Sequence, residues 1–434
     1  MAQLSYFHYR ALIRRARAAV CLMLVLTACT PAWQRPETNT AADFTDRSVS
    51  VFKFGARVTV AVPDASEAAA IFGTDLYRSR VQPVWIEVEN ATDQDLILMR
   101  TAIDDEYISP AEAAYLRHAG PQDTREQMDR FFNESEFKNP IKAGTTVSGY
   151  VFSNLDEGFK NVNVDLLGND QLLNYTVTIK IPGLNADYEY VDLNTLYPEF
   201  EEITDEAMFR ERLVEIPCCT NNEAGSANGD PLNIVLVGSS QAVFTALIRR
   251  GWQATEINYF RSSLKTIRSH VFGSQYNYSP ISPLYLFGRS QDIGLQKARG
   301  SVTRRNHMRL WRAPFDYRGQ EVFIGQISRD IGVKFQKQTL TTHAIDPFVD
   351  HTRDSLIEDL AYSQGLSGVA FIEGSQISTE TETFYNLTPD PYFSDGYRAV
   401  FFFTEETTTL TDIDQIRWLP DWHPSLRPPE PDVE

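Results

Sequence analysis

The amino-acid sequence predicts an α+β protein with two folded domains, and three observations lead to this fold class. Apolar and polar residues alternate with a period of two through much of the first half, which predicts a β-sandwich. Strand and helix patterns follow one another in the second half, which predicts a mixed α+β layer. Residues 217–231 are small, polar and rich in turn formers, and separate the two halves. A chain of 434 residues has room for two to three domains of roughly 100–200 residues each.

Composition narrows the range of partners. The chain has 58 acidic and 40 basic residues, a formal net charge of −18. An acidic body repels nucleic acid and anionic lipid headgroups, so we expect no nucleic-acid partner and no attachment through a basic patch. Hydrophobic residues make up 42% of the chain, which favours packed cores over disorder.

The amino terminus predicts export and lipid attachment. Four arginines (Arg10, Arg14, Arg15 and Arg17) precede a short apolar run over residues 18–26. This run suits the central region of a signal peptide better than a membrane-spanning helix. The motif Leu26-Thr27-Ala28-Cys29 then resembles the lipobox of bacterial lipoproteins, in which the cysteine is acylated and becomes the mature amino terminus. We therefore predict a signal peptide over residues 1–28 and a lipid anchor, such as palmitate, on Cys29; an uncleaved or ordinary signal peptide is the alternative.

This anchor sets the expected location. The predicted partner is the lipid bilayer, reached through acylated Cys29, and the predicted location is the bacterial cell envelope on the periplasmic side. Thr30 follows the cysteine in place of the Asp that resembles an inner-membrane retention signal, which favours the outer membrane and leaves the inner membrane open.

A tether and a sandwich are expected next. Residues 29–50 are rich in Thr, Ala, Asp and Pro and predict a flexible tether. Residues 51–185 carry the alternating strands, and residues 142–152 are typical of an immunoglobulin-like strand pair entered through a Gly turn. A helical insertion interrupts them: Ser109 and Pro110 suit the first positions of a short helix, and a second helix is predicted over residues 124–137.

The second half predicts a ferredoxin-like α+β domain over residues 232–419, with helices on one face. Residues 233–237 form a buried strand, and Ser239 can cap the helix that follows. Further strands are expected over residues 284–287, 307–311, 322–327, 369–372 and 399–403, with a helix over residues 347–362. Residues 186–231 are predicted to connect the domains, and residues 420–434 to form a Pro-rich acidic tail. The adjacent pair Cys218-Cys219 is expected to be two loop thiols, with a strained redox pair or an intermolecular disulfide as alternatives.

A series of sequence blocks in this second half resembles a known family. The blocks occur in order at residues 229–238, 251–252, 279–289, 307–311, 328–333 and 342–347. Together they resemble the LssY C-terminal domain over about residues 216–415. The resemblance implies a module that other members attach to multi-span membrane proteins, and therefore an envelope context with a membrane-embedded partner. It implies no particular reaction.

The same region holds the chain's candidate polar site, formed by His307, Arg329, Asp330, His343, Asp346, Asp350 and Arg353. Imidazoles and carboxylates could bind a metal or act as an acid–base pair, and the guanidinium groups could bind phosphate. A structural network is the simpler interpretation. Asp346-Pro347 suits a helix start, Asp350 suits the first turn, and Arg329 and Asp330 suit an ion pair at a strand end.

We therefore expect a cell-envelope lipoprotein with a non-catalytic binding or assembly role at the membrane. The alternative is a metal- or phosphate-handling hydrolase that uses the His/Asp/Arg residues. The sequence lacks GxSxG, Walker, GxGxxG and HExxH motifs, so we expect neither cofactor nor metal.

Overall fold

The computed structural model describes residues 33–36, 43–104, 107–156, 159–169, 171–181, 192–193, 195–254, 281–301, 304–334 and 342–418. The chain divides into two compact units, an amino-terminal unit of residues 1–183 and a carboxy-terminal unit of residues 184–434. Both combine helices with a larger share of strands, which confirms the predicted α+β class. The predicted signal peptide, Cys29 and the tail at 420–434 lie outside the described residues. Among the residues that the structure describes, no helix is long and apolar enough to cross a membrane.

The strands of the amino-terminal unit form two antiparallel sheets. One sheet has the order β1-β2-β3-β5 and the other the order β4-β6-β7. The strands of the first sheet are β1 (Val49–Lys53), β2 (Ala56–Ala61), β3 (Val81–Asn90) and β5 (Thr146–Asn154). Those of the second are β4 (Ile97–Leu98), β6 (Phe159–Leu167) and β7 (Leu172–Lys180).

A single apolar core joins these two sheets. The alternation predicted from the sequence is correct: Val58 and Val60 of β2 and Ile86 of β3 are fully buried. They pack in one cluster with Val164 of β6 and Val177 of β7. Inward-facing residues of both sheets therefore make the core of a two-layer structure; the finer immunoglobulin-like assignment stays a prediction.

Four helices of the described residues belong to this unit: α1 (Ala65–Phe72), α2 (Arg100–Ile103), α3 (Pro110–Tyr115) and α4 (Gln122–Ser135). The predicted start of α3 is confirmed, because the Ser109 hydroxyl accepts the Glu112 N–H at 3.2 Å and Pro110 follows it. Helix α4 lies two residues earlier than predicted and buries Met128 and Phe132 as expected. Phe137 belongs instead to the sandwich core, where its N–H bonds the Tyr150 carbonyl.

The predicted tether over residues 29–50 is wrong for the part that is described. The Trp33 side chain is 8% exposed, and its indole N–H donates to the Phe72 carbonyl at 2.8 Å. Phe44 is buried against Trp85 and Tyr150 within a 3-10 turn, Asp43–Arg47. Burial of two large aromatic rings outweighs the polar composition of their neighbours, because each ring removes a large apolar area from water.

The carboxy-terminal unit is built on a ten-stranded mixed sheet. Its main path runs β12-β15-β16-β17-β11-β22-β19-β23, while β8 pairs with β16 and β18 with β17. The strands are β8 (Glu201–Ile203), β11 (Ile234–Val237), β12 (Gln253–Ala254), β15 (Ile293–Ser301), β16 (Arg304–Tyr317), β17 (Gln320–Lys334), β18 (Thr342–Ile345), β19 (Leu366–Ser378), β22 (Ser394–Phe403) and β23 (Asp414–Ile416). Strand β11 is central, antiparallel to β17 and parallel to β22.

Helices cover both faces of this sheet. Helices α6 (Ser240–Arg249) and α7 (Val349–Ala361) pack on the face that receives Ile234 and Leu236, and α5 (Glu206–Glu215) packs on the face that receives Val235 and Val237. The predicted layer had helices on one face only. Strand β11 buries both faces in an unbroken apolar run, so each face requires a cover. The ferredoxin-like assignment is therefore not supported beyond the presence of a sheet with helices.

The predicted connecting segment, residues 186–231, differs most from the structure. From residue 195 onward it includes β8, α5, β9 (Cys219–Asn221) and β10 (Asn228–Pro231). Strands β9 and β10 pair in a second sheet with β13 (Tyr285–Leu286) and β14 (Arg289–Ser290), in the order β10-β9-β13-β14. A two-stranded ribbon of β20 (Phe384–Tyr385) and β21 (Pro391–Tyr392) completes the strands. Backbone pairing, which composition does not reveal, makes this stretch part of the unit.

The adjacent cysteines also differ from the main expectation. Cys218 and Cys219 are joined by a disulfide, with their Cα atoms 3.7 Å apart. Cys219 opens β9 and is 1% exposed, so the pair belongs to the folded unit and is not a pair of free loop thiols.

Candidate functional site

Buried charged side chains line one face of the large sheet. Arg305, His307 and Arg309 occupy alternate positions of β16, so all three side chains point to the same face of the strand. They are 1%, 7% and 8% exposed, respectively. Trp311 continues the same alternation and packs in the cluster that contains α5. These polar residues therefore lie on the same face of the sheet as α5, next to the apolar part of that face.

His307 pairs with a carboxylate of the neighbouring strand. Its Nε2 lies 2.7 Å from Oδ2 of Asp330, which is in the last third of β17. Burial lowers the pKa of His307, although Asp330 acts in the opposite direction. The imidazole is therefore neutral at neutral pH, because burial disfavours its charged form.

Amides and a main-chain carbonyl hold the two guanidinium groups. Arg305 Nη1 donates to Gln296 Oε1 at 2.8 Å, and Arg309 Nη1 donates to Gln326 Oε1 at 2.9 Å. Arg309 Nε and Nη2 also donate to the Ser282 carbonyl at 3.1 and 3.0 Å. Burial lowers the pKa of both arginines. Their hydrogen bonds go mainly to neutral oxygens, so Asp330 balances only part of the positive charge.

Asp230, the third residue of β10, supplies a second buried carboxylate. It is 8% exposed and accepts a hydrogen bond from Asn386 Nδ2 at 3.0 Å. Burial raises the pKa of Asp230, and attraction to Arg309 opposes the rise. The small sheet and the large sheet are thereby joined through charge as well as through packing.

A second charged group lies on the opposite face, between α7 and β22. Arg353 is fully buried and donates to both carboxylate oxygens of Asp395, at 2.8 and 3.0 Å. It also bonds Asp354 at 2.8 Å and lies 3.3 Å from Asp350. Burial opposes the charge of Arg353, but the three carboxylates raise its pKa above the usual value. This is a fixed ion-pair group that attaches the helix to the sheet.

Asp350 extends this attachment from the first turn of α7, as predicted for that residue. Its carboxylate accepts the Asp395 N–H at 2.7 Å and the Ser394 hydroxyl at 3.1 Å. Burial raises the pKa of Asp350 to about 6, while Arg353 acts in the opposite direction. Its hydrogen bonds to Ser394 and Asp395 therefore bind the helix to β22.

The remaining predicted residues occupy separate positions. Arg329 Nη2 donates to the Ser355 hydroxyl of α7 at 3.1 Å, so it does not form the predicted ion pair with Asp330. The physical reason is that Arg329 and Asp330 are neighbours inside β17, where successive side chains point to opposite faces. His343 lies in β18 with its backbone opposite Val333; its side chain lies outside the described residues.

Asp346 does not cap the helix that follows. Helix α7 starts at Val349 with Phe348 at the N-cap position, two residues later than predicted. The Asp346 carboxylate accepts the Phe348 N–H at 3.0 Å, which closes a local turn. The backbone of Asp346 is still bonded to β17, through the Arg329 carbonyl at 2.8 Å, and this bond delays the helix.

The seven predicted residues therefore do not converge. His307 and Asp330 lie on the α5 face, and Arg329 and Arg353 lie on the α7 face. In the part of the chain that the structure describes, no three His, Cys, Asp or Glu residues are grouped to hold a metal ion. The sequence analysis missed Arg305, Arg309, Gln326 and Asp230. The signal available for the first two was their spacing of two from His307 in a predicted strand.

The family comparison applies to the unit that contains this site. Residues 213–397 match the model of the family described as LssY C-terminus. The carboxy-terminal unit carries an LssY C-terminal domain. The match starts within α5 and ends within β22, so it includes both charged groups. No curated protein matches the chain.

Proposed function

We propose that this protein is a lipid-anchored component of the bacterial cell envelope with a non-catalytic binding or assembly role at the membrane. The observation that carries the proposal is the order of a basic stretch, a short apolar run and Leu26-Thr27-Ala28-Cys29 at the amino terminus. Acylation of Cys29 would attach both units to the bilayer.

Two features of the folded chain support this location. The Cys218–Cys219 disulfide is chemistry that persists in oxidising compartments such as the periplasm. The net charge of −18 disfavours binding to anionic headgroups, so an acyl chain is the more suitable attachment. Residues 213–397 match the LssY C-terminus family, and this resemblance implies an attachment to membrane proteins. We therefore propose that the protein binds a membrane-embedded partner.

The geometry of the charged residues supports a binding role over hydrolysis. A hydrolase would need acid–base and anion-binding groups within reach of one substrate atom. Here the guanidinium of Arg353 is occupied by Asp395 and Asp354, and His307 pairs with Asp330 on the other face of the sheet. Their positions suit groups that fix β16, β17, α7 and β22 to one another.

The lipid anchor can be tested by substitution. Cys29→Ala should release the mature protein from the membrane fraction and abolish incorporation of labelled palmitate. Cys21→Ala is the matched control, because Cys21 lies in the predicted signal peptide and should change neither result. Membrane retention of Cys29→Ala, with no label in the unsubstituted protein, would exclude the anchor.

The non-catalytic role has its own test. Metal analysis and a phosphomonoester hydrolysis assay on the purified mature protein should give neither stoichiometric metal nor turnover. Metal or turnover that is lost in both His307→Ala and Asp330→Ala, with folding retained, would favour the hydrolase.

A further inference from the structure

The lipid attachment point is very close to a buried residue of the amino-terminal unit. Trp33 lies four residues after Cys29, and four extended residues span at most about 14 Å. Trp33 itself is fixed, because it packs 5.7 Å from the Phe131 ring and bonds the Phe72 carbonyl. An acyl chain on Cys29 therefore holds the surface around Trp33 near the bilayer.

A glycine at the end of α1 allows the segment around Trp33 to pack closely against the helix. Gly73 has φ of +65°, and a Cβ there would lie 2.8 Å from the Gln34 carbonyl oxygen and 3.0 Å from Trp33 Nε1. Only glycine allows both the left-handed turn and this close approach. Trp33, Gln34 and Pro36 thus pack closely against the end of α1.

The strand register shows at which end of the sandwich Trp33 packs. Val81, the first residue of β3, belongs to the same apolar cluster as Trp33 and Phe72. Asn90, the last residue of β3, pairs with Ala56 beside the β1–β2 turn. The strand advances by nine residues from Val81 to Asn90, which separates the two ends by about 30 Å. The amino-terminal unit thus has a Trp33 end and, opposite it, a turn end marked by Phe54.

Exposed apolar side chains accompany the Trp33 end. Tyr115 is 72% exposed and Leu116 is 48% exposed, at the end of α3. The next residue, Arg117, donates from Nε to the Thr74 hydroxyl at 3.3 Å, and Thr74 directly follows Gly73. A tyrosine, a leucine and an arginine are together suited to the boundary between headgroups and acyl chains, where apolar parts enter and polar ends stay hydrated.

Resting on the proposed acylation of Cys29, we propose that the Trp33 end of the amino-terminal unit docks on the bilayer surface, with Tyr115 and Leu116 entering the interfacial region. The short connection orients the unit, so the turn end at Phe54 points away from the lipid. The occupant of this surface is the lipid bilayer. Acylation then supplies the affinity, and the short connection and the exposed pair together set the orientation.

The test uses the mature acylated protein and places an environment-sensitive fluorophore at either end of its amino-terminal unit. A nitrobenzoxadiazole probe is attached through Leu116→Cys or, as the matched control, Phe54→Cys, which is also exposed at 44%. The probe carries a maleimide group that reacts with the introduced cysteine. Acylated Cys29 and the Cys218–Cys219 disulfide have no free thiol and do not react with it. The proteins are reconstituted in phosphatidylethanolamine–phosphatidylglycerol vesicles with and without headgroup-proximal doxyl lipid. We expect a blue shift and strong quenching at position 116, and neither at position 54.

The possible failures are distinguishable. Protein that floats with vesicles but shows no quenching at position 116, or equal quenching at both positions, overturns the docking inference and leaves the anchor intact. Concentration-dependent self-quenching at position 116 without doxyl quenching would indicate a second copy in place of lipid and also overturns it. Failure to float, with no acyl group on Cys29, contradicts the proposed function itself.

Discussion

At the scale of single residues, Arg398 joins several segments of the carboxy-terminal unit through their main-chain carbonyls. It is fully buried in β22 and donates to the main-chain carbonyls of Leu213, Ile216, Pro217, Leu232 and Gly374. Burial lowers its pKa to about 10, which leaves the side chain charged at neutral pH. Two of these carbonyls, of Leu213 and Ile216, are at the end of α5, where a cation is favoured by the helix dipole.

We predict that Arg398→Met lowers the free energy of unfolding by about 2–5 kcal/mol, because several buried carbonyls would lose their donor together. Arg417→Met is the matched control at an exposed position, and should change it by less than about 0.5 kcal/mol. Urea titration of both variants followed by circular dichroism measures the difference. Equal effects in the two variants would contradict the assigned role.

Sequence analysis at this scale succeeded where the contact partner is local and failed where it is remote. Asp350 was correctly placed in the first turn of a helix, a position that depends only on neighbouring residues. The five carbonyls around Arg398 come from 185 to 24 residues away, and no spacing in the sequence brings them together. The spacing of Asp230 and Arg309 in the sequence likewise gives no sign that these two charges attract each other in the folded unit.

At the scale of elements, the two predicted helix starts of the carboxy-terminal unit had different outcomes. Ser239 is the N-cap of α6, and its hydroxyl accepts the Ala242 N–H at 3.1 Å, as predicted. Asp346 was expected to act in the same way for α7 but is followed by two non-helical residues. Strand pairing of β17 with β18 extends through the Asp330–Ile345 pair, and this tertiary constraint outweighs the local capping signal.

These two residues provide a matched comparison. Ser239→Ala should lower the free energy of unfolding by about 0.5–2 kcal/mol, because an amide at the helix start loses its partner. Asp346→Ala should cost less than about 0.5 kcal/mol, because it removes only a partly exposed turn contact. Equilibrium unfolding of both variants under identical conditions provides the comparison. A larger loss for Asp346→Ala would restore it as the cap of α7.

At the scale of the whole molecule, the sequence placed the division between the units too far along the chain. Alternating strands and buried apolar runs identified two strand-rich units, but composition assigned residues 186–231 to a connection. Helix α5 buries Phe209 and Leu213 against the large sheet, and Phe209 stacks on Tyr317 at 4.0 Å. The apolar period of α5 is weak because Met208 and Val214 are apolar but exposed, so the sequence did not indicate that α5 belongs to the core.

This correction changes what a truncation should do. A fragment of residues 184–434 retains α5, β8 and the β9–β10 pair, and should unfold in one cooperative transition. A fragment of residues 232–434, which begins at the end of the predicted linker, loses the cover of one sheet face. It also removes three of the five main-chain carbonyls to which Arg398 donates, those of Leu213, Ile216 and Pro217. We expect the shorter fragment to bind a hydrophobic dye and to melt without a cooperative transition. A cooperative melt of the shorter fragment, at the temperature of the longer one, would mean that residues 184–231 are a connection after all.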